Sequence, residues 1–125
     1  MSGVADPEAE TLIADLVSAA PSLGPLVDEH MQTHGELLPH VLFGDLTRFI
    51  VAAATKGDAS TVKPVLDLLE RGLTAGDPVV VNLIQVSFVE NVGVWNHGMD
   101  SFINSWPGHL RAEAERQGWR PAGSA

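Results

Sequence analysis

The chain contains no cysteine, which excludes disulfide frameworks, thiolate zinc sites, iron–sulfur clusters and cysteine nucleophiles. A reducing compartment suits such a chain, and a cytoplasmic location is the expectation. It has no lysine or arginine before Arg48. The opening MSGVADPEAETLIADL carries acids where a signal peptide needs positive charge, and its apolar residues are spaced rather than continuous. No stretch approaches the ~18 uninterrupted apolar residues of a membrane span, so no membrane partner is expected. A phosphate-cradling glycine loop, a G-x-S-x-G elbow and a basic–aromatic stripe are all missing as well. Together these absences remove the familiar enzyme signatures, imply no cofactor and no catalytic residue, and make nucleic acid an improbable ligand.

What is present is a chain of 125 residues with 45% hydrophobic residues, enough for one domain with a real core. The formal net charge is −9. Asp6, Glu8, Glu10, Asp15, Asp28, Glu29, Glu36 and Asp45 all precede the first base, so this part of the chain sets up a negative field. Such a field repels polyanions and steers a basic partner into contact; it also serves plain solubility.

The punctuation reads as helices. Asp6-Pro7-Glu8 joins a capping residue, a first-turn proline and an acid at the positive end of the dipole. Leu12, Ile13, Leu16 and Val17 then form one apolar face up to Pro21. A second helix is expected from the region of Ser22 to Pro25 to Gly35, and a third from Leu38-Pro39 to Gly57. The fourth should begin nearer Ser60 or Thr61, since Pro64 is costly beyond a first turn.

Asp77-Pro78 repeats the cap-then-proline start and opens the most apolar stretch, Val79 to Val92. Valine-rich runs also suit strands, but strict alternation fails at Val79 to Val81 and at Leu83-Ile84. A helix over about 77–93 with apolar residues on almost every side is a central, enclosed one. Its polar members Asn82, Gln85, Ser87, Glu90 and Asn91 spread around the wheel, which suits ties to neighbouring elements better than one active face. Gly93 and Gly98 should loosen the chain. A last helix starts at Ser105-Trp106-Pro107 and runs through Gln117, with Arg111 and Glu115 spaced as an ion pair. Residues 1–5 and 118–125 are expected to fray. The predicted fold is all-α: an irregular five- or six-helix bundle, or a short stack of helical hairpins, in one domain.

His30 and His34 stand four apart, so two imidazoles share one helix face and can share a metal. Met31 occupies the place where a metalloprotease helix carries its glutamate, so the hydrolytic version fails. Two surface histidines near a helix C-terminus are the plainer account. His40 lies just beyond the helix break. Asp45 has Arg48 at i+3 as its natural partner, which favours a structural pair over acid–base work with Glu90. Trp95, Trp106 and Trp119 come late with Phe102, and serve either to cap the core or to anchor a partner. If they anchor one, Glu90, Asn91, Trp95 and His97 border the recognition surface, with Asp28 and Glu29 adding charge.

The stretches LLPHVLFGDLTRFI (37–50) and DPVVVNLIQVSFVENVG (77–93) resemble an uncharacterised family of small bacterial all-helical domains that are immunity-protein-like. The second carries the core V-N-x-I-x-V-S-F-V-E-N, and the likeness covers Leu37 to Gly93. The resemblance implies binding rather than catalysis, and marks Asn82, Ser87, Glu90 and Asn91 as motif positions without assigned roles. The leading expectation is therefore a non-catalytic acidic domain binding a basic protein, as an immunity protein masks a toxin. The alternatives are a small metal- or ligand-dependent helical protein using His30, His34 and His40, and a homodimer subunit.

Overall fold

The computed structural model describes residues 7–120, and its regular elements are helical throughout. The order is α1 (Pro7–Ala19), α2 (Gly24–His34), α3 (Pro39–Thr55), α4 (Ala59–Ala75), α5 (Pro78–Val92), α6 (Asp100–Asn104) and α7 (Gly108–Arg116). Single 3-10 turns at Pro21–Leu23 and His97–Met99 lead into α2 and α6. The all-α expectation holds. The helix count exceeds five or six because the segment between Gly93 and Pro107 folds into a turn and a short helix rather than a loosened connection.

Local chemistry sets the boundaries. Asp77 accepts from the Val79 and Val80 N–H groups at 3.0 and 3.1 Å, so the cap read from Asp77-Pro78 starts α5. The matching cap at Asp6 lies outside the described residues. Gly35 ends α2 at φ 72°, a conformation glycine adopts without Cβ strain. The fourth helix starts earlier than Pro64 suggests. Asp58 is its cap, accepting from the Thr61 N–H at 3.3 Å and from the Ser60 and Thr61 hydroxyls at 2.9 and 2.7 Å. That cap outweighs the proline, which sits inside the helix.

Helix α5 is the hub, packed against α1, α3, α4 and α7. Val80, Leu83, Ile84, Phe88, Val89 and Val92 bury their side chains, while Val79, Asn82 and Val86 leave one edge open to solvent. Within it, Gln85–Val89 widens into a π turn. Polar side chains tie this turn to its surroundings. Gln85 donates to Glu113 of α7 at 3.1 Å, and Gln117 donates to the Gln85 carbonyl at 3.1 Å. Glu113 also receives Arg116 and Gln117. Burial alone would raise its pKa, but these hydrogen bonds and the Arg116 charge outweigh it and hold the carboxyl below its ordinary range.

The C-terminal elements close over the hub. Glu70 of α4 caps α7, accepting from the His109 and Leu110 N–H groups at 3.0 and 2.9 Å. Trp106 and Trp119 are 4% and 1% exposed, and the Trp119 indole donates to Asp100 at 3.1 Å. Residues 118–120, expected at a fraying end, thus include one of the largest fully buried side chains. Residues 1–6 and 121–125 lie outside the described set. Among the described residues, no single helix is long and apolar enough to cross a membrane.

Candidate functional site

Helix α3 packs against α2 on one flank and α5 on the other, and its outward strip gathers most of the singled-out polar groups. On the α5 flank, His40 Nδ1 lies 2.5 Å from the Ser87 hydroxyl. The Ser87 carbonyl accepts from Thr47 Oγ1 at 2.9 Å and from Asn91 Nδ2 at 2.8 Å. A π turn disturbs the regular backbone ladder, and side-chain donors of this kind satisfy a carbonyl there. Between them Gly44 carries no side chain; a Cβ there would meet Asn91 Nδ2 at 3.8 Å and Arg48 Nη1 at 3.9 Å. Arg48 pairs with Asp45, as the i+3 spacing implies.

The His40–Ser87 pairing escaped the sequence because 47 positions separate the two residues and no local spacing signals it. It resembles half of a nucleophile–base pair. Ser87, however, is only 4% exposed, and among the described residues no third group orients the His40 ring. The arrangement serves to seat the first turn of α3 on the π turn.

On the α2 flank, Leu26, Glu29, His30, Thr33, His34 and Asp45 line a pocket of about 280 Å³. His30 is its buried member, 4% exposed. Its Nε2 accepts from the Leu38 N–H at 3.0 Å, which assigns the ring proton to Nδ1. That Nδ1 is enclosed and makes no close, well-aligned hydrogen bond among the described residues, with the Glu36 backbone as its polar contact. Burial, then the neighbouring His34, lower the His30 pKa against the opposing pull of Asp45 and of a hydrogen bond with the Glu36 backbone. The His30 and His34 rings stand 4.6 Å apart, tilted by 47°.

The structure thus brings His30 and His34 together but leaves His40 out: His40 turns to Ser87, and it does not line the pocket. Among the described residues no three His, Asp or Glu side chains are grouped to hold a metal ion. A metal on His30 Nε2 would also deprive the Leu38 N–H of its acceptor.

The late tryptophans divide. Trp106 and Trp119 belong to the core, whereas Trp95 is 79% exposed. Trp95 follows Gly93, which ends α5 at φ 90°, and its ring lies 3.4 Å from where a Gly93 Cβ would stand. The helical path turns by 109° here, from α5 into the segment His97–Asn104. Glu90, Asn91 and His97 are exposed around this turn, and His97 Nδ1 lies 3.4 Å from Asp100. Asp28 and Glu29 are exposed on α2. A mainly apolar groove of about 440 Å³ opens between the α3–α4 junction and the segment 98–105, lined among others by Val51, Val62, Met99 and Phe102.

With this geometry in place, the chain is assigned to a family: it belongs to the one described as a domain of unknown function (DUF7674), whose model matches residues 13–120. The match extends well beyond residues 37–93 and takes in most of α1, all of α2 and the tryptophan-bearing C-terminal helices. Comparison with curated proteins and with solved structures finds no match.

Proposed function

We propose that the chain is a non-catalytic protein-binding domain for a basic partner, and that its specific role is immunity-type masking of a basic bacterial toxin. The observation that carries this reading is Trp95. A tryptophan 79% exposed, next to a helix end and bordered by exposed Glu90, Asn91 and His97, is the kind of side chain that anchors an interface. The net charge of −9 supplies the sign of the partner, and attraction of this kind speeds encounter and fades with salt.

The test is capture on the immobilised chain of proteins encoded next to it in its native genome, at roughly 50 mM and roughly 500 mM salt, with Trp95→Ala beside the wild type. A basic protein retained at low salt, weakened at high salt and lost with Trp95→Ala is the expected result. Retention of no basic protein at either salt, or retention indifferent to Trp95, overturns the reading. A second reading, a small ligand-binding helical domain built on His30 and His34, is favoured by the pocket of about 280 Å³ that both rings line.

A further inference from the structure

The structure assigns Asn96 and Asp100 as positioning residues for Trp95: they hold its turn in a pre-formed conformation, so that the ring meets a partner already ordered. In saying what the ring is held for, this rests on the partner-binding reading above.

The first observation is that the turn carrying Trp95 is closed by its own hydrogen bonds. The Asn96 N–H donates to the Gly93 carbonyl at 2.9 Å, with Val94 and Trp95 at the two central positions. Asn96 Oδ1 accepts from the Gly98 N–H at 3.0 Å, and the Met99 N–H donates to the Asn96 carbonyl at 2.9 Å. One asparagine thus closes one turn and caps the next, a task its short amide side chain suits. Val94 and Met99, on either side of it, pack against the core. The Trp95 ring itself lies against Gly93, 3.4 Å from where a Cβ would stand. A ring 79% exposed therefore rests on a compact, anchored turn and not on a free loop.

The second observation is independent of the first and lies on the far side of the turn. The Asp100 side chain is 14% exposed, and its Oδ1 accepts from the Trp119 indole at 3.1 Å. Trp119 is fully buried, and its backbone N–H donates to the Ala114 carbonyl at 2.9 Å. Asp100 thus ties the segment after Trp95 to the end of α7. Its contact with His97 adds little to this hold, because that ring is 91% exposed.

A rigid aromatic side chain supplies contact area at low entropic cost, and ordering done before binding is not paid again during it. Loosening this turn should therefore weaken binding by about two- to tenfold, although no contacting atom is removed.

The experiment is nitrogen-15 relaxation on the full labelled chain, read at the backbone and indole N–H groups of the three tryptophans. In the wild type the Trp95 backbone order parameter should lie near the rigid value of about 0.85. Asn96→Ala should drop it below about 0.6 while Trp106 and Trp119 stay ordered; Asn96→Asp, which keeps the acceptor for Gly98, should restore it. Asp100→Ala should loosen both Trp95 and the Trp119 indole, and Asp100→Asn, which keeps an oxygen for that indole, should hold them. If Asp100→Ala does not fold, the Asn96 pair decides.

The second arm uses the basic protein retained by the immobilised wild type. Asn96→Ala should weaken its binding by about two- to tenfold and leave the salt dependence unaltered, since no charge is lost. A wild-type Trp95 already below about 0.6, alanine variants that leave Trp95 ordered, or conservative variants as loose as the alanines overturn the assignment. So does undiminished binding by a loosened Asn96→Ala. Capture of no basic protein by the wild type defeats the partner reading instead, and the relaxation arm then decides the positioning by itself.

Discussion

His40 Nδ1 and Ser87 Oγ meet at 2.5 Å, although the one opens α3 and the other sits in the π turn of α5. Thr47 of α3 and Asn91 of α5 itself serve the Ser87 carbonyl, and Glu113 and Gln117 hold Gln85, so the irregular turn of the central helix is held from both α3 and the α7 side. The motif V-S-F-V-E-N therefore owes its serine and one asparagine to packing, which leaves Glu90 exposed and available.

Thr47 provides the cleanest test of that support. It is 1% exposed, and its single hydroxyl proton is shared between the Phe43 and Ser87 carbonyls. Thr47→Val preserves the shape and removes the donor. Asn91 still serves the Ser87 carbonyl, so the cost should fall near 1–2 kcal/mol rather than at the level of a fully orphaned group. Thr47→Ser keeps the donor and should lose about 1 kcal/mol through the missing methyl group. Urea unfolding of both variants checks the order; a valine variant as stable as wild type would remove Thr47 from the account.

Gly72 tests the closeness of α4 and α5. A Cβ at Gly72 would stand 2.8 Å from Ile84 Cδ1 and 3.1 Å from Val80 Cγ1, both on buried side chains. Gly72→Ala gains up to about 1 kcal/mol of helix propensity but overpacks the contact by about 1–3 kcal/mol. The net expectation is mild destabilisation. Ile84→Val deletes the clashing methyl group, so in that background Gly72→Ala should become neutral or stabilising. A double-mutant cycle should return coupling of about 1 kcal/mol or more; strict additivity would sink the argument.

These cases show where the sequence was legible. Asp77-Pro78, Gly35 and Pro39 act within a few residues of themselves, so the boundaries of α2, α3 and α5 could be read directly. The all-round apolar pattern of Val79 to Val92 likewise marks that helix as the central one. The tertiary pairings were not legible: His40 finds Ser87, Glu70 caps α7, and Gln85 reaches Glu113 across 28 positions. The π turn itself has no local signal, because the contacts that sustain it come from α3 and α7. The i, i+4 spacing of His30 and His34 sets their rings side by side, but it carries no sign that Leu38 claims one His30 nitrogen. Nor could the order of the tryptophans reveal that Trp95 alone faces solvent.

Acid should reach the core through Glu113. Its folded pKa is held below the ordinary 4.5, because Arg116, Gln117 and Gln85 favour the carboxylate more than burial disfavours it. The folded state therefore binds this proton less readily than the unfolded chain. The stabilisation is fully present above about pH 4.5 and disappears as the pH falls through the lower folded value. Glu113→Gln should cost about 1–2 kcal/mol near pH 7 and flatten the acid limb of a stability–pH curve measured by denaturant unfolding. An acid limb identical in the variant would show that the protection lies elsewhere, with Glu70 the next group to replace.

Trp95 should separate binding from stability. With 79% of its surface in solvent it contributes little to the core, so Trp95→Ala should move the unfolding free energy by no more than about 0.5 kcal/mol. Trp106→Ala and Trp119→Ala remove buried rings and should each cost about 3–5 kcal/mol. Fluorescence supplies a second reading of the same division. Trp95→Ala should remove the red-shifted, readily quenched part of the emission and leave the blue part of the two buried indoles. When a partner docks on this face, that red component should shift to the blue and lose its access to iodide. A partner that binds while Trp95 remains red-shifted and fully quenchable occupies another surface, and the acidic face of α2 becomes the place to look.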